Sequence, residues 1–138
     1  LRVELVAMPN AVATVRTVHA RLQGRIACAS GADRQKVEMQ LAQVGLAPLF
    51  AGRIFSGHEM PATKPAPDVY LAAAALGVPP ARCLVVEDTV TGVQAGVAAG
   101  ATVVGFSPPG LGYGAPEVLQ AAGAVQVLTD MAQLTMIV

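Results

Sequence analysis

Charge is scarce in this chain of 138 residues: Asp, Glu, Lys and Arg make up 13%, nine acids balance nine bases, and no Lys/Arg run occurs. A nucleic-acid binder needs a basic footprint to displace counterions from phosphates, so DNA and RNA are not expected partners. Cysteine is nearly absent. Cys28 and Cys83 both fall in apolar, strand-like runs and in no metal-type spacing. They read as small buried hydrophobes, with no disulfide between them. No uninterrupted stretch reaches the ~18 apolar residues of a membrane span, and no charged segment followed by a long apolar run opens the chain. A soluble, cytoplasmic protein is the expectation. Internal repeats and low-complexity linkers are missing as well. The Pro/Gly-rich stretch from Ser107 to Pro116 lacks a GxxxxGK[ST] pattern, so it reads as a connecting loop, not a phosphate cradle.

What is present is apolar: 54% hydrophobic residues, rich in Ala, Val and Gly. That excludes a disordered segment and fits one domain with a moderate core. The low charge also points to an extensive interface or a missing partner surface.

Periodicity alternates along the chain. Val12, Val15, Val18 and Leu22 have helical spacing within Asn10 to Gln23, with Asn10 as N-cap and Gly24 as the stop. A strand over Arg25 to Ala29 follows, then a helix from Asp33 to Val44 ending at Gly45, a turn from Leu46 to Phe50 and a short strand through Ile54 and Phe55. Pro67 to Leu76 reads as helix, with proline tolerated in its first turn. Leu84 to Val86, Val93 to Ala99 and Thr102 to Phe106 give strand, helix, strand; Pro116 to Ala122, Val125 to Leu128 and Asp130 to Leu134 continue the alternation. Such βαβ succession predicts an α/β fold, a parallel sheet in a Rossmann-like doubly wound architecture.

The chemistry is concentrated in CLVVEDTVTGVQAGVAAG, residues 83 to 100. Leu84, Val85 and Val86 form a run suited to a strand buried on both faces, and Glu87 and Asp88 close it where open α/β sheets place ligands. Paired carboxylates there suit Mg²⁺, a hard cation that takes one or two carboxylates plus substrate phosphate. A surface turn whose acids cap the next helix is the plain alternative.

Two further blocks, ACASGADR around Ser30 and KPAPDVY led by Lys64, precede that segment. Together the three resemble, in order and spacing, the haloacid dehalogenase-like (HAD) hydrolases, in particular the small phosphatases and β-phosphoglucomutase-like enzymes. The resemblance implies that Ser30 hydrogen-bonds the transferred phosphoryl group, that Lys64 neutralises it, and that Glu87 and Asp88 hold Mg²⁺. Gly31, which lets backbone amides approach an anion, stands where many relatives have asparagine. For Ser30 the alternative is a cap on the helix beginning near Asp33; for Lys64 it is an ordinary solvated lysine. Thr89 and Thr91 read as helix caps, Asp68 as a helix-start acid, His19 as a surface residue, and His58 as no metal ligand.

The family's nucleophile is the first Asp of a DxD motif on its first strand, whereas this chain's aspartates are Asp33, Asp68, Asp88 and Asp130, none in a DxD. Residues 1–138 therefore read as a partial HAD core domain, re-entering from a cap near Met8 to Ala11, with nucleophile strand and cap expected upstream. The family's strand order, 5-4-1-2-3, would then leave an unfilled slot between the strands ending at Ser30 and Glu87. The function implied is Mg²⁺-dependent hydrolysis of a small organic or sugar phosphate through an aspartyl-phosphate, with this chain inactive alone. A β-phosphoglucomutase-like phosphotransferase and a non-catalytic phosphate- and Mg²⁺-binding module are the alternatives.

Overall fold

The structure, a computed structural model, describes residues 10–75, 77–110 and 114–138. The proposed re-entry at Met8 and Pro9 and the end of the helix at Leu76 lie outside those residues, as does part of the Ser107 to Pro116 loop. Among the described residues, five α-helices and five strands alternate, besides short 3-10 turns: α1 (Ala11–Arg21), β1 (Cys28–Ser30), α2 (Arg34–Gln43), β2 (Ile54–Ser56), α3 (Asp68–Ala74), β3 (Leu84–Glu87), α4 (Val90–Ala98), β4 (Thr102–Phe106), α5 (Pro116–Ala122) and β5 (Gln126–Leu128). Every pairing is parallel, with Ser30 opposite Ser56, Glu87 opposite Gly105 and Phe106 opposite Leu128. The fold is α/β and Rossmann-like. None of the described helices is long and apolar enough to cross a membrane.

The strands form two sheets, β1-β2 and β3-β4-β5. The division falls between β1 and β3, where the resemblance puts a central strand, and among the described residues each of these strands keeps one edge without a ladder partner. Helices join the halves. α1 turns Val12 and Val15 towards the β1/β2 core of Val37, Leu41, Phe50 and Ile54, and Val18 and Leu22 towards the β4/β5 core of Val104, Phe106 and Leu128. α3 packs on β1 and β2 and also touches α4. α4 lies close on its sheet because Gly96 has no side chain: a Cβ there would come within 2.6 Å of Val103 Cγ2.

Several boundaries differ from the periodicity. The first strand begins at Cys28, not Arg25, because the Arg25 and Ile26 amides bond back to Leu22 and Gly24 carbonyls in the turn leaving α1. Asn10 precedes α1 but makes no side-chain cap; its backbone is left-handed (φ 67°), and its amide donates instead to Asp130, 3.1 Å away. His19 is half-buried, folded towards Gly24 at the helix end. The last segment, Met131–Met136, is a 3-10 helix started by a capping box between Asp130 and Gln133.

Candidate active site

Parallel pairing puts Ser30 and Ser56 side by side at the carboxyl ends of β1 and β2. The Ser30 hydroxyl accepts the Ala32 amide at 3.1 Å, and the following helix is capped by Asp33, which accepts from Lys36 N at 2.9 Å. Capping of α2 is thus the work of Asp33, and Ser30 shapes the turn around Gly31. Ser56, fully buried, donates to Ala32 O at 2.6 Å and accepts from His58 N at 3.2 Å, tying the two strand ends together. Gly57 follows at a close crossing. A Cβ there would lie 2.9 Å from Thr63 Oγ1 and 3.5 Å from Ser30 O, so a side chain at this position would have to push the Thr63 hydroxyl aside where the segment passes the end of β1.

Lys64 then reaches across to the other sheet. Its ammonium pairs with Oε2 of Glu87, the last residue of β3, and the Tyr70 hydroxyl donates to the same oxygen. Glu87 Oε1 accepts the Asp88 amide at 3.2 Å. The Lys64 ammonium lies 5.0 Å from the centroid of the Tyr70 ring, within cation–π range. This cluster is mostly dry: the Lys64 and Glu87 side chains are 15% and 8% exposed. A buried carboxylate is tolerable only when paired and hydrogen-bonded, and both conditions are met at Glu87. Burial, and next the negative charge of Glu87, push the Tyr70 hydroxyl well above the ordinary phenol range, so it stays a donor. Burial likewise raises the Cys28 thiol, and both cysteines are free.

The start of α4 completes the cage. Thr89 caps it, accepting from Gly92 N at 3.0 Å, and Gly92 leaves room for the acid: a Cβ there would sit 2.1 Å from Glu87 Cδ. Asp68 stands in the first turn of α3, and His58 is exposed on the turn after β2.

The structure therefore brings Lys64, Glu87 and Asp88 together and connects them through Thr63 and Gly57 to Ser30 and Gly31. Among the described residues no group of three or more His, Cys, Asp or Glu side chains could hold a metal. Two adjacent carboxylates nevertheless fit a hard cation whose remaining ligands are water, phosphate and a carboxylate from elsewhere. Charge agrees: one ammonium and two carboxylates leave the cluster net negative, and a divalent cation would make it attractive to a phosphate. A recess of about 780 Å³ lies beside this cluster's sheet, at the ends of β4 and β5, lined by Ser107, Pro109, Gly114, Thr129 and Asp130 among others, and by none of the site residues above.

Three participants carried no sequence-level assignment. Tyr70 closes the KPAPDVY block, but its partner is 17 residues away. Ser56 and Gly92 have roles that only packing creates.

A protein-family model described as haloacid dehalogenase-like hydrolase matches residues 2–100. The "Probable pseudouridine-5'-phosphatase" of Drosophila melanogaster is 39% identical over 132 residues, which cover 91% of this chain and 54% of that protein. Fructose-1-phosphate phosphatase YqaB of Escherichia coli is 36% identical over 94 residues, 67% of this chain and 48% of the enzyme. A HAD family hydrolase from Deinococcus radiodurans, solved with bound phosphate and sodium, superposes with a TM-score of 0.80 at 36% identity, covering 92% of this chain and 56% of that one. The chain spans about half the length of each of these proteins. With the model match covering most of its length and the fold agreeing throughout, this chain belongs to the haloacid dehalogenase-like hydrolases.

Proposed function

We propose that this chain forms the phosphate- and Mg²⁺-binding part of a phosphohydrolase for small organic or sugar phosphates, with the aspartate nucleophile and the cap contributed by another segment of a longer protein. The observation that carries this reading is the buried Lys64–Glu87 pair beside Asp88, at the carboxyl end of β3.

In this reading Lys64 shifts part of its hydrogen bonding from Glu87 to a phosphoryl oxygen. The Ser30 hydroxyl, which accepts the Ala32 amide at the carboxyl end of β1, turns to donate to a second oxygen. The Gly31 amide, with no side chain in the way, is available to the same anion. Glu87 and Asp88 would hold Mg²⁺, which when bound supplies charge neutralisation on the phosphoryl group. A carboxylate from elsewhere in the protein attacks phosphorus as the ester P–O bond breaks, and the departing alcohol oxygen takes its proton from a second aspartate of that segment. Water, deprotonated by the same group, then cleaves the aspartyl-phosphate and releases inorganic phosphate. Residues 1–138 by themselves hold the electrostatic groups without a DxD aspartate, so they turn over nothing.

The test is Asp88→Asn in the full-length protein, with phosphate release from 4-nitrophenyl phosphate followed across a Mg²⁺ titration. Loss of Mg²⁺-dependent turnover is expected, and turnover near that of the unsubstituted protein would sink the metal assignment. A full-length protein that binds phosphate and Mg²⁺ yet releases none would be a binding module instead.

A further inference from the structure

We propose that Tyr70 is a positioning residue for this phosphate site, holding the Glu87 carboxylate with its hydroxyl and the Lys64 ammonium with its ring. The inference rests on the phosphohydrolase reading and adds a residue to it.

Glu87 Oε2 receives two donors, Lys64 and Tyr70, while Oε1 receives the Asp88 amide. Each member of the pair is thus constrained from two directions. Lys64 has three ammonium protons; in the structure it lies both against Glu87 and at 5.0 Å from the Tyr70 ring centroid. Without the Tyr70 hydroxyl, Lys64 is the sole strong donor to Oε2, and the buried carboxylate draws it in more tightly. Lys64 must then give up more to meet a phosphate. With the hydroxyl in place, Glu87 stays satisfied when Lys64 turns to the anion. Tyr70 is suited to this because it is anchored on α3, which packs on β1, β2 and α4 and so has a fixed position relative to both halves of the site. A stem bonded only through its own loop would lack that reference.

The experiment measures inorganic phosphate affinity by titration calorimetry in saturating Mg²⁺, on the full-length protein, with cooperative melting checked for each variant. Tyr70→Phe keeps the ring and removes the hydroxyl. Its phosphate affinity is expected to fall about tenfold, the scale of one charged hydrogen bond. In a Glu87→Gln background the same substitution is expected to change affinity by less than about threefold, since the carboxylate through which Tyr70 acts is gone. Tyr70→4-aminophenylalanine keeps ring and donor, and is expected to restore most of the affinity. A purely structural role for Tyr70 would lower melting without this dependence on Glu87.

Unchanged phosphate affinity in Tyr70→Phe overturns the inference, as does an equal loss with and without the Glu87 carboxylate. If Tyr70→Phe does not melt cooperatively, the 4-amino variant decides: a tenfold loss despite the retained donor overturns it as well. Failure of the unsubstituted full-length protein to bind phosphate overturns the phosphohydrolase reading, and the role of Tyr70 falls with it. Phosphate binding that is insensitive to Tyr70 leaves that reading standing and removes only this residue.

Discussion

Replacing Gly92 by alanine opposes two effects of different sign. Alanine has the higher helix propensity, and in an exposed helix the exchange would stabilise by about 1 kcal/mol. Gly92 is buried in the first turn of α4, however, and its added Cβ would lie 2.1 Å from Glu87 Cδ and 2.2 and 2.3 Å from the two carboxylate oxygens. A free carboxylate could swing aside. This one is held by Lys64 and Tyr70 on Oε2 and by the Asp88 amide on Oε1. Moving it off Lys64 and Tyr70 forfeits two charged hydrogen bonds, each worth about 1.5–3 kcal/mol. Against the helical gain, the net expectation is destabilisation by roughly 2–5 kcal/mol. Urea unfolding checks it: the midpoint falls while the slope stays constant. Gln94→Ala, on the exposed face of the same helix, is the control and stays within about 0.5 kcal/mol. A Gly92→Ala protein as stable as the parent, or more so, would refute the claim that Glu87 is locked in place.

Lys64→Met keeps the stem and removes the cation, leaving a carboxylate that is only 8% exposed without its ion-pair partner. A loss of about 3–5 kcal/mol is expected in the same unfolding assay, partly recovered by adding Glu87→Gln. A cost below about 1 kcal/mol would mean that water reaches the pair. At the other end of the chain, the Ala132 amide, and next Asn10, hold the Asp130 carboxyl below the usual carboxylate range. A carboxyl lowered on folding stabilises above its unfolded value, about 3.9, and this contribution disappears as pH falls through the lower folded value. The melting temperatures of the parent and Asp130→Asn should therefore converge on acidification from about pH 5 towards pH 2; a gap independent of pH would contradict the assignment.

Elements whose boundaries depend on local chemistry were legible in the sequence. Thr102–Phe106 is a strand and Pro116–Ala122 a helix over the expected residues, the first an apolar, β-branched run, the second opened by a proline whose missing amide costs a helix nothing at that position. Thr89 caps the helix that follows it, as its place before a helical run predicts, whereas the helix read from Asp33 starts one residue later, with Asp33 itself as its cap. Where a distant partner competes, local signals misled. Asn10 has the composition of an N-cap, yet its amide goes to Asp130, 120 residues away. Arg25 and Ile26 have strand-like neighbours, yet their amides are spent in the turn leaving α1.

The same boundary runs through the candidate site. Order and spacing of the three blocks in the sequence sufficed to nominate Ser30, Lys64, Glu87 and Asp88 and to identify the family, because each residue sits at a strand end or loop that its own segment defines. That Lys64 would be neutralised by Glu87, that Tyr70 would share the same oxygen, and that Gly92 would make the space for that carboxylate were decided by tertiary structure alone. Those contacts join residues from β3 and from segments on either side of it, and their energies depend on burial. No residue's neighbours along the chain carry that information, since the dry, low-dielectric surroundings that make the Lys64–Glu87 pair matter exist only once α3 has packed on β1 and β2 and α4 on β3 and β4.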